Sequence, residues 1–214
     1  MHPSKSIIFF TVSSGTGYGI LLCLSYLAFV TDINFDNNVK LLLMITSFIF
    51  ISAGLLSSTL HLGHPERAWR SFSQWKSSWL SREGLAAVIT FLPLMIFYLL
   101  WYLDNFFYIY FLHLTSALCL ITIYCTGQMY ATLKTIPAWN NKLVTPIYAI
   151  NALCMGALTV YCLSHFYEFE VNYLYHFTIA SLTLCLFMKL IYWYIISKKT
   201  TSTANSATGL GRDN

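Results

Sequence analysis

Charge is the scarcest ingredient of this sequence. Only 9% of its residues are Asp, Glu, Lys or Arg, against roughly 25% in a soluble domain. A soluble fold could not cover its surface with so few polar groups, so the apolar residues, 57% of the chain, must face lipid. Paired cysteine motifs are also missing. The six cysteines (Cys23, Cys119, Cys125, Cys154, Cys162 and Cys185) all lie in apolar stretches and none forms a CxxC. They read as small packing residues rather than zinc ligands or a disulfide framework. No Ser–His–Asp set or Walker loop is present, which removes support for hydrolase and ATPase readings. Gly15, Gly17 and Gly19 have no preceding strand and so fail as a nucleotide loop. Gly15 and Gly19 instead have the GxxxG spacing that lets helices pack closely, and Ser14, Thr16, Gly54, Ser57 and Ser58 suit the same role. The net charge of +4 asks for no nucleic-acid partner, because the cations flank apolar segments.

What is abundant is long apolar runs. A membrane helix needs about 20 such residues in a row, and hydropathy predicts helices near 7–30, 40–61, 84–102, 106–130, 145–165 and 173–196. The runs are continuous rather than alternating, which disfavours a β-barrel. The expected fold is an all-α integral membrane protein, a bundle of about six transmembrane helices over residues 1–197. A polar tail, 198–214, should be mobile unless a partner orders it. The first apolar segment reads as a retained span, not a cleaved signal. Asp32 to Asn38 forms a turn-rich loop, Asp104-Asn105 a tight turn, Ser81 a plausible N-cap with Glu83 in the first turn of span three, and Pro137 and Pro146 bracket the loop before span five.

With six spans, both termini, loop 2–3 and loop 4–5 share one side. That side holds eleven of the twelve Lys and Arg residues, Lys40 being the exception. The positive-inside rule then predicts both termini inside. Trp69, Trp75, Trp79, Trp139 and Trp193 gather on the same side, as an aromatic belt does.

The chemistry concentrates in loop 2–3, from Leu60 to Gly84, with His61, His64, Glu66, Arg67, Arg70, Lys76, Arg82 and Glu83 beside the hydrocarbon edge. A quinol site needs such parts: partners for two ring oxygens, a His or carboxylate to receive released protons, and access from lipid. On this reading His61 bonds one quinol oxygen, Glu83 accepts a proton and Arg67 orients Glu83 or the ring. Plain interfacial anchoring and helix capping use the same residue types, and spacing alone leaves both readings open. Pro65 directly after His61-x-x-His64 argues against a helical metal motif. His113 in span four is an intramembrane ionisable residue and hence a functional candidate; with His165 or His176 it allows a haem b reading. A solute transporter would need broken helices or buried mid-span charges, and only Pro93 interrupts a span. A purely structural anchor stands as a further alternative.

At this loop a resemblance emerges. The run STLHLGHPERAWRSFSQWKSSWLSREG, ending at Gly84, and the run QMYATLKTIPAWNNKLVTP, Gln128 to Pro146, are similar to those of the membrane anchor subunits of dimethyl sulfoxide reductases, the DmsC-like family. Longer members of that family have eight spans against six here. The resemblance implies a bacterial inner-membrane anchor for anaerobic respiration, bound to an iron–sulfur subunit and through it to a molybdopterin catalytic subunit. It implies menaquinol as the bound substrate, no haem or metal in this subunit, and no chemistry of its own on the terminal acceptor. The family's quinol-site residues match His61, Arg67 and Glu83, with His64 and Arg82 as further candidates.

Overall fold

The computed structural model describes residues 5–31, 33, 35–59, 65–136 and 138–198. Among them the chain is helical throughout, with α1 (Lys5–Val30), α2 (Asn37–Thr59), a 3-10 segment (Pro65–Gln74), α3 (Trp79–Tyr102), α4 (Tyr108–Ala131), α5 (Val144–Phe166) and α6 (Leu174–Lys198). All six α-helices are long and apolar enough to cross a membrane. At 1.5 Å per residue they measure roughly 35 to 39 Å, enough for a hydrocarbon core of about 30 Å. Helices are what such sequences must form, because lipid offers backbone groups no partner.

The α1 helix is the hub. It packs against α2, α4 and α5, while α3 packs chiefly on α4 and α6 on α5. Small residues explain this centrality. Gly17 faces α2, where an added Cβ would lie 2.8 Å from the Ser47 carbonyl oxygen. Gly19 faces α5, where it would lie 1.8 Å from the Ala152 carbonyl oxygen. Backbones this close gain dispersion contacts that bulkier residues would prevent. Hydroxyls then tie helix to helix: Ser13 Oγ donates to the Phe50 carbonyl (2.8 Å), Ser116 Oγ to the Leu21 carbonyl (3.1 Å), and Ser47 Oγ bonds Tyr98 OH (2.7 Å). The α6 helix buries only Leu174, Thr178 and Ser181.

Most predicted spans begin and end within a few residues of the observed helices. One start is wrong, and α3 begins at Trp79 rather than 84. Its N-cap is Ser78, not Ser81: the Ser78 hydroxyl accepts from the Ser81 amide. Glu83 therefore belongs to the second turn of α3, not the first. Pro146 lies within the first turn of α5 rather than in the loop, and Pro137 lies outside the described residues. The stretch after Pro65, expected as loop, forms the 3-10 segment, which packs against α3. All six cysteines are free thiols. On the far side, Lys40 forms an ion pair with Asp104 of the α3–α4 turn. Residues 199–214 of the predicted mobile tail lie outside the described residues.

Candidate functional site

Glu83 is the natural starting point. It is 3% exposed, and among the described residues it is the one buried acidic side chain. Ser78 fixes where α3 begins, and that start turns Glu83 inward toward α4 rather than out to the membrane surface. There the Thr126 hydroxyl lies 2.5 Å from Glu83 Oε1 and 3.1 Å from the Thr122 carbonyl oxygen. A hydroxyl carries one proton and can also accept. With Glu83 ionised, Thr126 donates to it. With Glu83 protonated, the acid donates to Thr126, which turns its own proton to Thr122. Both protonation states of this buried carboxyl keep a hydrogen-bond partner.

Arg82, expected beside Glu83, points elsewhere. Its Nε donates to the Trp75 carbonyl (2.8 Å), its Nη2 to the Lys76 carbonyl (2.7 Å), and its guanidinium lies 4.3 Å from the centre of the Trp79 ring. It clamps the loop onto the start of α3. Adjacent positions on a helix do not share a face, so an inward Glu83 sends Arg82 outward. Arg67 lies in the 3-10 segment, but its side chain is outside the described residues, as are His61 and His64. Phe72 of the same segment packs on Gly84, where an added Cβ would lie 3.0 Å from its ring.

Beside Thr126 opens a cavity of about 420 Å³, lined from α1, α4, α5, α6 and Trp139 of the loop between α4 and α5. Its wall is rich in tyrosine. Tyr130 and Tyr148 stack with centroids 5.4 Å apart, and Trp139 stands edge-on to Tyr130 at 5.1 Å. The Tyr192 hydroxyl donates to the Ala138 carbonyl (2.9 Å) and holds α6 to the loop, while Cys185 Sγ donates to Asn151 Oδ1 (2.9 Å). Glu83 lies within electrostatic reach of three tyrosines of this wall, Tyr18, Tyr130 and Tyr148. Sequence reasoning missed Tyr18 and Thr126, ordinary occupants of a membrane helix by type, and Lys189, which reads as snorkelling to the basic side from the last turns of span six. Only tertiary packing gathers them around one cavity.

The histidines of the haem reading do not join this site. His113 Nδ1 lies 2.7 Å from Ser25 Oγ, and His165 and His176 are exposed at helix ends. None of the three lines the cavity.

A family profile described as "DMSO reductase anchor subunit (DmsC)" matches residues 1–208. The chain belongs to the DMSO reductase anchor subunit family. It is similar to the C subunit of the sulfite dehydrogenase of Allochromatium vinosum, at 28% identity over 192 residues, covering 78% of this chain and 56% of the relative. It is also similar to the C polypeptide of the anaerobic dimethyl sulfoxide reductase of Haemophilus influenzae, at 26% identity over 166 residues, covering 72% and 56%. This anchor-family protein thus spans little more than half the length of those curated relatives. No solved structure matches it. A family of anchor subunits agrees with six helices long and apolar enough to cross a membrane.

Proposed function

We propose that this protein anchors a molybdopterin oxidoreductase in the bacterial inner membrane and oxidises a quinol, menaquinol by family resemblance, passing electrons to an iron–sulfur partner subunit. The relatives' names, subunits of a sulfite dehydrogenase and of a dimethyl sulfoxide reductase, support assembly with a catalytic partner. The observation that carries the quinol reading is the Glu83–Thr126 pair. Quinol oxidation releases two electrons and two protons. A proton acceptor at the hydrocarbon edge must be stable both with and without its proton, and the Thr126 hydroxyl, with Thr122 behind it, serves both forms. On this reading Glu83 takes one proton, His61 bonds a ring oxygen and takes the other, and Arg67 holds local charge. The electrons leave to the iron–sulfur subunit and the terminal acceptor is reduced elsewhere. The excess of cations around the loops supports a cytoplasmic location for that face.

The test is Glu83→Gln in the intact complex in native membranes. Proton transfer to a positioned group contributes typically 10²–10⁴-fold, so quinol-driven turnover should fall by at least about 100-fold. Turnover driven by a soluble dye that reduces the iron–sulfur partner directly should be unchanged. Assembly is read by co-purification of an iron–sulfur and a molybdopterin protein. Undiminished quinol-driven turnover would remove Glu83 from the mechanism, and a protein that purifies without redox partners would overturn the anchor role.

A further inference from the structure

Resting on the quinol reading above, we propose that the cavity between α1, α4, α5 and α6 holds the quinone ring, which enters from lipid between α1 and α6, and that the Tyr18 hydroxyl donates a hydrogen bond to one ring oxygen.

Unused donors are the first ground. Tyr18 is 3% exposed and lines the cavity, yet its buried hydroxyl has no hydrogen-bond partner. Lys189 of α6 lines the same cavity, and no ion pair or hydrogen bond to it occurs among the described residues. An orphaned buried hydroxyl is costly, because the hydrogen bonds it gave up to water are not replaced. An ammonium placed in a membrane helix, nine residues before its end, is by default a sign of function. Three other polar groups near the wall have partners within the protein: Thr126 has Glu83, Asn151 Oδ1 accepts from Cys185, and Tyr192 donates to Ala138. What the cavity lacks is acceptor oxygen. A lipid acyl chain has none, whereas a quinone carries two carbonyl oxygens on a flat ring suited to aromatic walls.

Size and access are the second ground. About 420 Å³ lies within the usual 300–1,000 Å³ of small-molecule sites. The cavity lining includes Val12 of α1 and Met155 of α5, which are exposed on the membrane-facing surface. The α6 helix packs on α5 and meets α1 where Phe177 stacks on Tyr26, toward the other end of α1 from Val12. The gap between α1 and α6 therefore lies at membrane depth, where an isoprenoid tail can trail into lipid while the ring sits inside. Thr126 forms part of the lining, so a ring in the cavity would lie next to the group that holds Glu83.

The experiment uses the complete complex in native membranes with a photoreactive azido-naphthoquinone, adducts being mapped by mass spectrometry, alongside kinetics of Tyr18→Phe. Adducts are expected on the peptides carrying Val12 and Met155, suppressed by excess unlabelled quinone. Tyr18→Phe should raise the KM for quinol about tenfold, equal to about 1.4 kcal/mol. Its thermal stability in detergent should be equal or higher, because deleting an unpaired buried hydroxyl relieves a cost. A purely structural tyrosine would not separate the two readouts in this way. Adducts confined to other surfaces while quinol-driven turnover persists would overturn the cavity and leave the quinol reading intact. Adducts in the cavity with an unchanged KM would overturn Tyr18 as the donor. Loss of all quinol-driven turnover and labelling in an assembled wild-type complex would sink both.

Discussion

Gly19→Ala and Gly15→Ala lie one helical turn apart on α1, share the GxxxG spacing, and should have opposite effects. At Gly15 an added Cβ would meet only Ala152 Cβ, at 3.7 Å, an ordinary contact. That substitution should be neutral or stabilising by up to about 1 kcal/mol, since alanine loses less backbone entropy in a helix than glycine. At Gly19 the added Cβ would lie 1.8 Å from the Ala152 carbonyl oxygen and 3.0 Å from the Gly156 amide nitrogen. An ordinary contact begins near 3.4 Å, so α1 and α5 must part by about 1.6 Å. The obstacle is backbone on both sides, so no side-chain rotation relieves it. Overpacking typically costs 1–3 kcal/mol and occasionally more, and a backbone clash at the hub helix should cost about 3 kcal/mol. At roughly 2–4 °C per kcal/mol for a chain of this size, the melting temperature in mild detergent should fall by about 6–12 °C for Gly19→Ala. It should hold or rise for Gly15→Ala. Equal shifts in the two variants would refute the assignment of Gly19 to the α1–α5 crossing.

The remaining predictions are local. Thr126→Val should lower quinol-driven turnover, though less than Glu83→Gln, and destabilise the protein by about 1–3 kcal/mol, because it strands a buried carboxyl; Thr126→Ser should restore both, checked by turnover in membranes and by melting in detergent. Asp104→Asn keeps a residue type that accepts the left-handed backbone there (φ 53°), yet removes the counter-charge of buried Lys40. It should destabilise by about 1 kcal/mol after allowance for the solvent exposure of Asp104, while Lys40→Met should cost less because it leaves no buried charge; paired melts decide between them. Ser78→Ala should cost about 0.5 kcal/mol through loss of the α3 cap, seen as a small drop in melting temperature with turnover retained.

The number and class of the helices were legible because lipid leaves the polypeptide few choices: an apolar run of 20 or more residues must satisfy its own backbone. Helix ends were less so, for a reason visible at α3. Hydropathy discounts Ser81, Arg82 and Glu83 because they are polar, and so starts the span at 84. The fold resolves each polar group in place. Ser78 caps the helix, Arg82 turns out to the loop carbonyls and the face of Trp79, and Glu83 turns in to Thr126. A per-residue scale assigns a polar side chain one cost, whereas the real cost depends on whether a partner lies within reach. The GxxxG spacing was likewise readable as a packing signal, but not that Gly17 between its two glycines serves a different neighbour, α2.

Of the residues named for the site from sequence, Glu83 is buried beside the cavity, Arg82 turns away, and His61, His64 and the side chain of Arg67 lie outside the described residues. Glu83 was singled out as a carboxylate of the charge-rich loop 2–3 at the hydrocarbon edge, together with the family resemblance. Tyr18, Thr126, Tyr130 and Tyr148 belong to residue types common in this protein, which contains fifteen tyrosines, so no local signal marks them. They become chemically informative only through what they touch or fail to touch. Thr126 matters because a carboxyl lies 2.5 Å away with a spare carbonyl behind it. Tyr18 matters because it is the wall tyrosine whose buried hydroxyl is left without a partner, while Tyr192 has Ala138. Lys189 read as a side chain snorkelling to the surface, a reading indifferent to what lies beside it, and the cavity it lines comes from four helices far apart in sequence. A buried carboxyl is therefore visible one residue at a time, but the cavity beside it is a property of pairs. That cavity joins an unsatisfied donor, Tyr18, to the threonine that bonds a buried acid, and α1 lying close to α4 and α5 sets the two on one wall. The glycines of α1 make that approach possible, so widening the α1–α5 crossing at Gly19 should raise the KM for quinol as well as lower the melting temperature.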